Sequence, residues 1–216
     1  MPLALAEKLT AAIAAMPPRR DTARQLAPSL AYGRHRGPAP ETARRAAVAI
    51  AILKRADGSA FIPLTLRPKS LKHHGGQISL PGGKVELGES DLQAAMREFH
   101  EELGIAIHEP FCCGSLPPVY VYASDNLVSP IVITAAAPSL PWEPDLLEVD
   151  RVIELPIEVL GMRRSRVRIT RRRAIQREHQ TVDEYKFTSP AFRFEDHRIW
   201  GATAMLLGEL AGLLGH

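Results

Sequence analysis

The sequence predicts a mixed α/β fold, of the α+β or α/β sandwich type, in which helices pack against a β-sheet. Short apolar runs bounded by turn residues recur along the chain and indicate strands, whereas three segments have the periodicity of amphipathic helices. The composition, with 45% hydrophobic and 24% charged residues, is that of an ordinary globular protein, and 216 residues suit one domain with an extra terminal segment. No apolar run approaches the ~20 residues needed to cross a bilayer, so we expect no membrane partner.

The Ala-rich stretch at the start of the sequence predicts an amphipathic helix rather than a signal peptide. A linker containing Pro, Arg and Gly follows it. We therefore divide the chain into an N-terminal helix and linker, residues 1–45, and a main domain, residues 46–216. Two arginines just beyond the helix leave a mitochondrial presequence open as an alternative. The apolar positions of the helix are Leu5, Leu9, Ile13 and Met16.

Strands account for most of the rest of the chain. The turn Ala-Asp-Gly-Ser joins the first two strands, and a short strand precedes the central helix. An arginine-rich strand pair lies near the end, and an amphipathic helix that starts near Ile199 closes the chain. The longer predicted strands are residues 46–53, 60–67, 119–123, 129–136 and 149–155.

The only cysteines, Cys112 and Cys113, are adjacent in the sequence. Two neighbouring cysteines supply neither a disulfide framework nor a four-ligand zinc site. They indicate a reducing, cytoplasmic setting, with the pair packed in a strand.

The central helix has clear start and stop signals. Ser90 with Gln93 three residues later makes a capping box, and Gly104 is a C-terminal stop. One face of this helix is apolar, and we expect it to face the core, with three glutamates on the side away from it. The apolar residues are Leu92, Met96, Phe99 and Leu103, and the glutamates are Glu98, Glu101 and Glu102.

Three carboxylates within one helical turn repel one another, so something should offset the repulsion. Hard divalent cations such as Mg²⁺ prefer oxygen ligands and share them between carboxylates, water and substrate phosphates. Gly82 and Gly83 precede the helix and allow the backbone to fold back towards such an ion. Arg97 could reach Glu89 in the loop and hold the loop to the helix. Taken alone, the acidic run favours the simpler alternative of a solvated helix face.

The wider pattern decides between these alternatives. The spacing Gly-x5-Glu-x7-Arg-Glu-U-x-Glu-Glu-x-Gly-U, in which U is a bulky apolar residue, is met at every fixed position. In this the sequence resembles the Nudix hydrolase family, and the resemblance extends from about residue 46 to residue 214. It implies a Nudix-type α/β/α sandwich around a mixed β-sheet, here with an extra N-terminal helix. The matching residues are Gly83, Glu89, Arg97, Glu98, Phe99, Glu101, Glu102, Gly104 and Ile105.

The same resemblance implies the chemistry, which is hydrolysis of a nucleoside diphosphate linked to another moiety. It makes Glu98, Glu101 and Glu102 the catalytic residues and the Mg²⁺ or Mn²⁺ ligands, with the Gly82 carbonyl as a further ligand. The structural clasp would consist of Arg97, Glu89 and Gly83. The general base would be one of the three glutamates or a glutamate on a later loop. The later acids weighed for this role, against ordinary solvated loop acids, are Glu143, Asp145, Glu148 and Glu184.

The stretch Leu-Thr-Leu-Arg-Pro-Lys-Ser-Leu-Lys-His-His-Gly-Gly, just upstream, resembles the element that precedes this motif in coenzyme A pyrophosphatases. The leading interpretation is therefore cleavage of coenzyme A or its thioesters to 3′,5′-ADP and 4′-phosphopantetheine or its acyl form. The alternatives are hydrolysis of ADP-ribose, NADH or another nucleoside diphosphate derivative and, in a different class, a non-catalytic ligand sensor or an RNA-binding protein. The candidate substrate-binding residues are Arg67, Lys72, His74 and Gly76.

The run Arg-Arg-Ser-Arg-Val-Arg-Ile-Thr-Arg-Arg-Arg-Ala-Ile-Gln-Arg holds eight arginines. A solvated basic hairpin is the simpler reading, and attraction of an anionic ligand is the other. The run contains no aromatic residue for base stacking, so a nucleic acid ranks below a phosphate-bearing metabolite as its partner. We expect a small nucleotide substrate as the main partner and leave a homodimer open.

Overall fold

The computed structural model describes residues 2–16, 26, 39–70, 75–122, 124–177 and 180–215. The helices are α1 (Pro2–Ala14), α2 (Asp91–Leu103) and α3 (Ala202–Leu214), with short 3-10 helices at Ile157–Leu160 and Arg163–Ser165. The strands of the larger sheet are β1 (Arg44–Lys54), β2 (Ala60–Leu66), β3 (Ile78–Ser79), β4 (Gly82–Lys84), β5 (Phe111–Ser115), β6 (Val119–Val121), β7 (Asn126–Ala136) and β8 (Arg151–Pro156). The smaller sheet contains β9 (Arg166–Arg177), β10 (Gln180–Phe194) and β11 (His197–Trp200).

The larger sheet is mixed. Its main strand order is β3-β2-β1-β7-β5, and β4, β6 and β8 pair with β1, β7 and β2 respectively. β1 and β7 run parallel along their full length, from the Arg44–Asn126 pair to the Lys54–Ala136 pair, and the other pairings are antiparallel. The smaller sheet has the antiparallel order β11-β10-β9. Its strand β11 packs against β3, at the edge of the larger sheet.

Helices cover both faces of the larger sheet, as expected for an α/β/α sandwich. Alternate residues of β1 point to opposite faces. Ala47, Ala49 and Ala51 pack in one core cluster with α2, whereas Ile50 and Ile52 pack in a second cluster with α1 and α3. The small alanine side chains allow α2 to lie close to the sheet, and the larger isoleucines fill the space on the opposite face.

Two details of the predicted helices were wrong. The last helix begins at Ala202 rather than near Ile199, because Ile199 and Trp200 belong to β11. On α2, Leu92 is exposed and only Phe99 and Leu103 of the expected stripe are fully buried. The remaining core positions of α2 are the small residues Ala94 and Ala95, which suit the alanine face of β1. No helix within the described ranges has both the length and the apolar character needed to cross a membrane.

The N-terminal helix α1 is part of the main core. Ala6 and Leu9 are buried in the cluster that α3 also joins, and α1 lies against β5 and β7. The side chain of Ile13 approaches Gly114 of β5 so closely that a Cβ on this glycine would lie 3.0 Å from it. The helix thus closes one face of the sheet.

We predict that Leu9→Ala lowers the free energy of unfolding by about 2–5 kcal/mol, because it removes a fully buried side chain and leaves a cavity. Urea denaturation measures the change. The matched control is Lys8→Ala on the exposed side of the same helix, which should change the free energy by less than about 0.5 kcal/mol. Equal effects of the two substitutions would mean that α1 does not contribute to the core as described.

Candidate functional site

Both ends of α2 are fixed, which gives its side chains a rigid base. At the start, Gln93 N donates to Ser90 Oγ at 3.3 Å and Ser90 N donates to Gln93 Oε1 at 2.9 Å, which completes the expected capping box. At the end, Gly104 adopts φ 71° and its N–H donates to His100 O at 2.8 Å. A Cβ on Gly104 would overlap the Glu143 carbonyl, so this glycine also allows the following loop to cross the helix end.

Arg97 connects three carboxylates and the backbone of the preceding loop. Its Nε and Nη2 donate to the two Glu89 oxygens at 3.0 and 3.2 Å, and Nη2 also donates to Lys84 O at 3.0 Å. Nη1 donates to Glu98 Oε1 at 2.9 Å and to Glu101 Oε2 at 3.0 Å. The hydrogen bond from Arg97 lowers the pKa of Glu89, and the acidic partners raise the pKa of Arg97. The loop and the helix are therefore joined by a network of ion pairs centred on Arg97.

The two glycines of β4 are required by close approaches on either side. A Cβ on Gly83 would overlap the Glu98 carboxylate, and a Cβ on Gly82 would overlap the backbone of Ala47 and Val48 in β1. Gly82 also has φ 156°, which L side chains rarely adopt. The Glu98 carboxylate thus rests directly on the β4 backbone.

A cavity of about 270 Å³ borders these glycines. Its polar groups come from Arg44, Lys84 and Asn126, and Ala46, Val48 and Val128 complete the lining. One side of β4 therefore faces the Glu98 carboxylate, and the other side borders a cavity lined by Arg44, Lys84 and Asn126.

The orientation of Glu102 differs from the prediction. We expected all three glutamates on the side away from the core, but Glu102 is only 4% exposed, and its Oε2 has no hydrogen-bond partner in the described part of the chain. Burial raises its pKa to about 8, the charge of Arg67 acts in the opposite direction, and those of Glu98 and Glu148 add to the increase. Glu98 is half-buried with a raised pKa, also caused mainly by burial, whereas Glu101 is exposed. The three carboxylates therefore have different environments.

Arg67 follows β2 and lies within electrostatic reach of Glu102. Among the residues that the structure describes, none makes a hydrogen bond to its buried Nε. Its backbone is held by two bonds, from Arg67 N to Gln77 O at 2.9 Å and from Gly76 N to Arg67 O at 3.0 Å. Gly76 adopts φ 70°, which the turn needs. The other two candidate substrate-binding residues, Lys72 and His74, lie outside the described residues.

The structure brings Glu148 to the same site. Its negative charge raises the pKa of both Glu98 and Glu102. The loop that carries Glu148 is attached at one end by a bond from Asp145 N to Glu102 O at 3.3 Å and at the other by a bond from Asp150 N to Leu66 O at 2.8 Å.

In the sequence, Glu148 was one of four later acids, and no local signal distinguishes it from the others. Glu184 pairs instead with Arg172 of the hairpin at 3.4 Å. Asp145 accepts a hydrogen bond from Leu147 N of its own turn at 2.9 Å.

The residues fit a divalent cation in their chemistry but are not assembled around one. Among the described residues, no three His, Cys, Asp or Glu side chains converge on a common point. The Glu98 and Glu101 carboxylates both turn towards Arg97. The unpartnered Glu102 oxygen and the glycine backbone beneath Glu98 are nevertheless what a hard cation would require.

The chain is similar in sequence to a known family and to several of its members. A family model described as NUDIX domain matches residues 43–177. The human mitochondrial coenzyme A diphosphatase NUDT8 is 31% identical over 175 residues, which cover 76% of this chain and 67% of the relative. A Nudix hydrolase named NudL from Salmonella paratyphi B is 33% identical over 174 residues, which cover 80% of this chain and 83% of the relative.

The likeness extends to a solved structure. The crystal structure of a MutT/nudix family protein from Enterococcus faecalis superposes with a TM-score of 0.50 over 90% of this chain and 73% of that chain. At 15% sequence identity, this likeness concerns the fold alone. With a family model that matches more than half of its residues, the chain belongs to the Nudix hydrolase family.

Proposed function

We propose that this Nudix hydrolase cleaves the diphosphate of coenzyme A or its thioesters, which yields 3′,5′-ADP and 4′-phosphopantetheine or its acyl form. The observation that carries the proposal is the position of Arg67, a cation with a buried, unpartnered Nε beside Glu102. Arg67 belongs to the upstream element shared with coenzyme A pyrophosphatases, and an arginine in this position suits a phosphate oxygen. The similarity to a protein named coenzyme A diphosphatase supports the same substrate.

We further propose Mg²⁺ or Mn²⁺ as the cofactor, held by Glu98, Glu101, Glu102 and the Gly82 carbonyl. When bound, such an ion would neutralise the diphosphate and lower the pKa of a bound water. A cytoplasmic setting is proposed as well, and it is supported by the free thiols of Cys112 and Cys113.

The residues of the chain itself would have separate tasks. Arg67 would bind an oxygen of the diphosphate, while Arg97 and Glu89 keep the loop and α2 in register. Water would attack one phosphorus, the bridging P–O bond would break, and the proton of the water would pass to a carboxylate. We assign that proton to Glu148, because it lies on a loop fixed to both β2 and α2 and does not share the Arg97 network.

Product analysis tests the substrate. The purified protein would be incubated with Mg²⁺ and, separately, with coenzyme A, ADP-ribose and NADH, and the products would be separated by chromatography. Formation of 3′,5′-ADP and phosphopantetheine at the highest efficiency would support the proposal. Preferential turnover of ADP-ribose or NADH would contradict coenzyme A as the substrate but would support hydrolase activity. No turnover of any substrate would favour a ligand sensor or an RNA-binding protein.

We expect Glu102→Gln to reduce kcat by at least about 100-fold, since it removes a buried carboxylate from the proposed ligand set while its shape is retained. The matched control is Glu109→Gln, which changes an exposed glutamate in the loop after α2 and should leave kcat unchanged. Thermal unfolding would establish that both variants are folded. Substantial turnover by folded Glu102→Gln would remove this residue from the ligand set.

The raised pKa of Glu102 also predicts how stability depends on pH in a metal chelator. The pKa is about 8 in the folded protein against an ordinary value of 4.5 for a glutamate, so the native state binds more protons between these two values. The free energy of unfolding should therefore fall as the pH rises through this window. Thermal unfolding from pH 5 to pH 9 measures the slope.

In Glu102→Gln this part of the slope should disappear, since the amide does not titrate. Glu98, whose pKa is also raised, remains in both proteins and cancels in the difference. Mg²⁺ added at high pH should raise the stability of the wild type more than that of the variant, because it binds only the native state. Identical pH profiles for the two proteins would contradict the burial of an ionisable group at residue 102.

Glu148→Gln should lower kcat by about 100- to 10,000-fold if Glu148 accepts the proton of the attacking water. The acidic limb of the pH–rate profile should be lost as well, whereas the Mg²⁺ dependence should change little. Glu143→Gln, in the same loop, is the control and should retain both the rate and the profile. An unchanged profile in Glu148→Gln would return the role of general base to the α2 glutamates.

A further inference from the structure

Most of the arginine-rich run forms β9, after a short 3-10 helix at its start, and the fold supplies the aromatic residues that the run itself lacks. Neighbouring residues of a strand point to opposite faces of the sheet. Phe192 and Ile199, which pair across β10 and β11, are fully buried and point into the core shared with α3. Trp200 therefore lies on the opposite face of the smaller sheet, which it shares with Phe187 and Arg171.

These three residues contact one another around the Trp200 ring, and we name them the aromatic platform. The Arg171 guanidinium carbon lies 4.5 Å from the centre of the Trp200 ring. The Phe187 ring lies 6.3 Å from that of Trp200, with an angle of 55° between the two planes. All three are partly exposed, whereas Ser189 and Ala191 on the same face are fully buried. The platform thus presents an aromatic and cationic surface at the boundary with solvent.

More positive charge lies next to the platform. Arg193 and Arg198 face each other across β10 and β11 and are exposed on the same face, two residues from the pair formed by Ala191 and Trp200. Arg198 donates to the His197 carbonyl at 2.9 Å and Arg193 to the Arg164 carbonyl at 3.3 Å. Within the described ranges, neither has a carboxylate partner. Both guanidinium groups therefore remain able to pair with a phosphate.

A series of contacts connects the platform to the candidate site. Thr203, three residues after Trp200, donates its hydroxyl to Ile78 O of β3 at 3.2 Å. β3 pairs with the end of β2, where Thr65 bonds to Ser79 at 3.0 Å and also contacts Glu102. The path from the platform to the carboxylates therefore runs through β3 and β2, which are adjacent strands about 5 Å apart.

We propose that the aromatic platform binds the adenine of the substrate, with the 3′-phosphate of the adenosine at Arg193 and Arg198. This rests on the proposed function. A planar guanidinium over an indole offers stacking to a purine, and exposed arginines two residues further along the strands suit a phosphate attached to the same nucleoside. The pantetheine half of coenzyme A, which has neither a flat ring nor a charge, has no such counterpart here.

The test compares Arg171→Gln with Arg172→Gln, which removes the same charge from the next residue of β9. Arg172 lies on the opposite face and pairs with Glu184, so it is a matched control. The affinity for 3′,5′-ADP would be measured by calorimetry in a chelator, and KM and kcat would be measured with coenzyme A and Mg²⁺. Arg171→Gln should weaken 3′,5′-ADP binding and raise KM about tenfold with kcat unchanged, while Arg172→Gln stays within about twofold of the wild type.

A second comparison tests the phosphate contact. The preference for coenzyme A over dephospho-coenzyme A should fall towards one in Arg198→Gln and persist in Arg172→Gln.

Two outcomes would overturn the proposal. One is wild-type affinity for 3′,5′-ADP in Arg171→Gln. The other is an equal loss of affinity in Arg171→Gln and Arg172→Gln, because it indicates general electrostatic attraction. Binding of 3′,5′-ADP that depends on Arg171, without cleavage of coenzyme A, would retain the platform and refute the proposed function. Cleavage of coenzyme A that does not depend on Arg171 would retain the proposed function and refute the platform.

Discussion

The close approach of α2 to the sheet is the constraint on which the site depends. Alanines on the facing side of β1 leave the helix room to lie low, and Gly83 lets the Glu98 carboxylate rest on the backbone of β4. Glu102 is buried between the helix and β2 as a consequence. A larger side chain at Ala49 or Gly83 would lift the helix and carry both carboxylates away from the sheet. The acids therefore owe their positions to residues that have little or no side chain.

The same burial gives each carboxylate a different electrostatic character. Glu102 is deep and beside a single arginine, Glu98 is intermediate and shares Arg97, and Glu101 is exposed. In a low-dielectric position a charge is costly unless it has a partner. The site thus places a buried glutamate with a pKa of about 8 within one turn of two glutamates that are less buried.

Local sequence signals predicted most of the framework. The strand positions, the capping box at Ser90 and the stop at Gly104 follow from short-range geometry, and the structure contains all of them. The burial of Glu102 could not be read from a helical wheel, because the sheet and the loop around Asp145 wrap more of α2 than its apolar stripe alone suggests. Leu92 is exposed because Ala94 and Ala95, rather than Leu92, form the contact between α2 and the sheet.

Long-range contacts account for what the sequence could not indicate. Glu148 reaches the site only because its loop is attached to both β2 and α2, which are distant in the chain. The stacking of Arg171 on Trp200 likewise depends on strand pairing across β10. No periodicity or motif encodes either contact, since each joins segments separated by tens of residues. Family resemblance identified the motif glutamates, whereas their surroundings required the fold.

The network around Arg97 has a consequence for the order of assembly. One guanidinium holds Glu89, Glu98 and Glu101, so the acidic turn of α2 is self-screened before any ion arrives. Arg97 therefore offsets part of the repulsion among these carboxylates without a bound cation. A cation that enters later would have to draw Glu98 and Glu101 away from an arginine. Occupancy of the site would then be set by a competition between two positive charges rather than by capture at a bare acidic cluster.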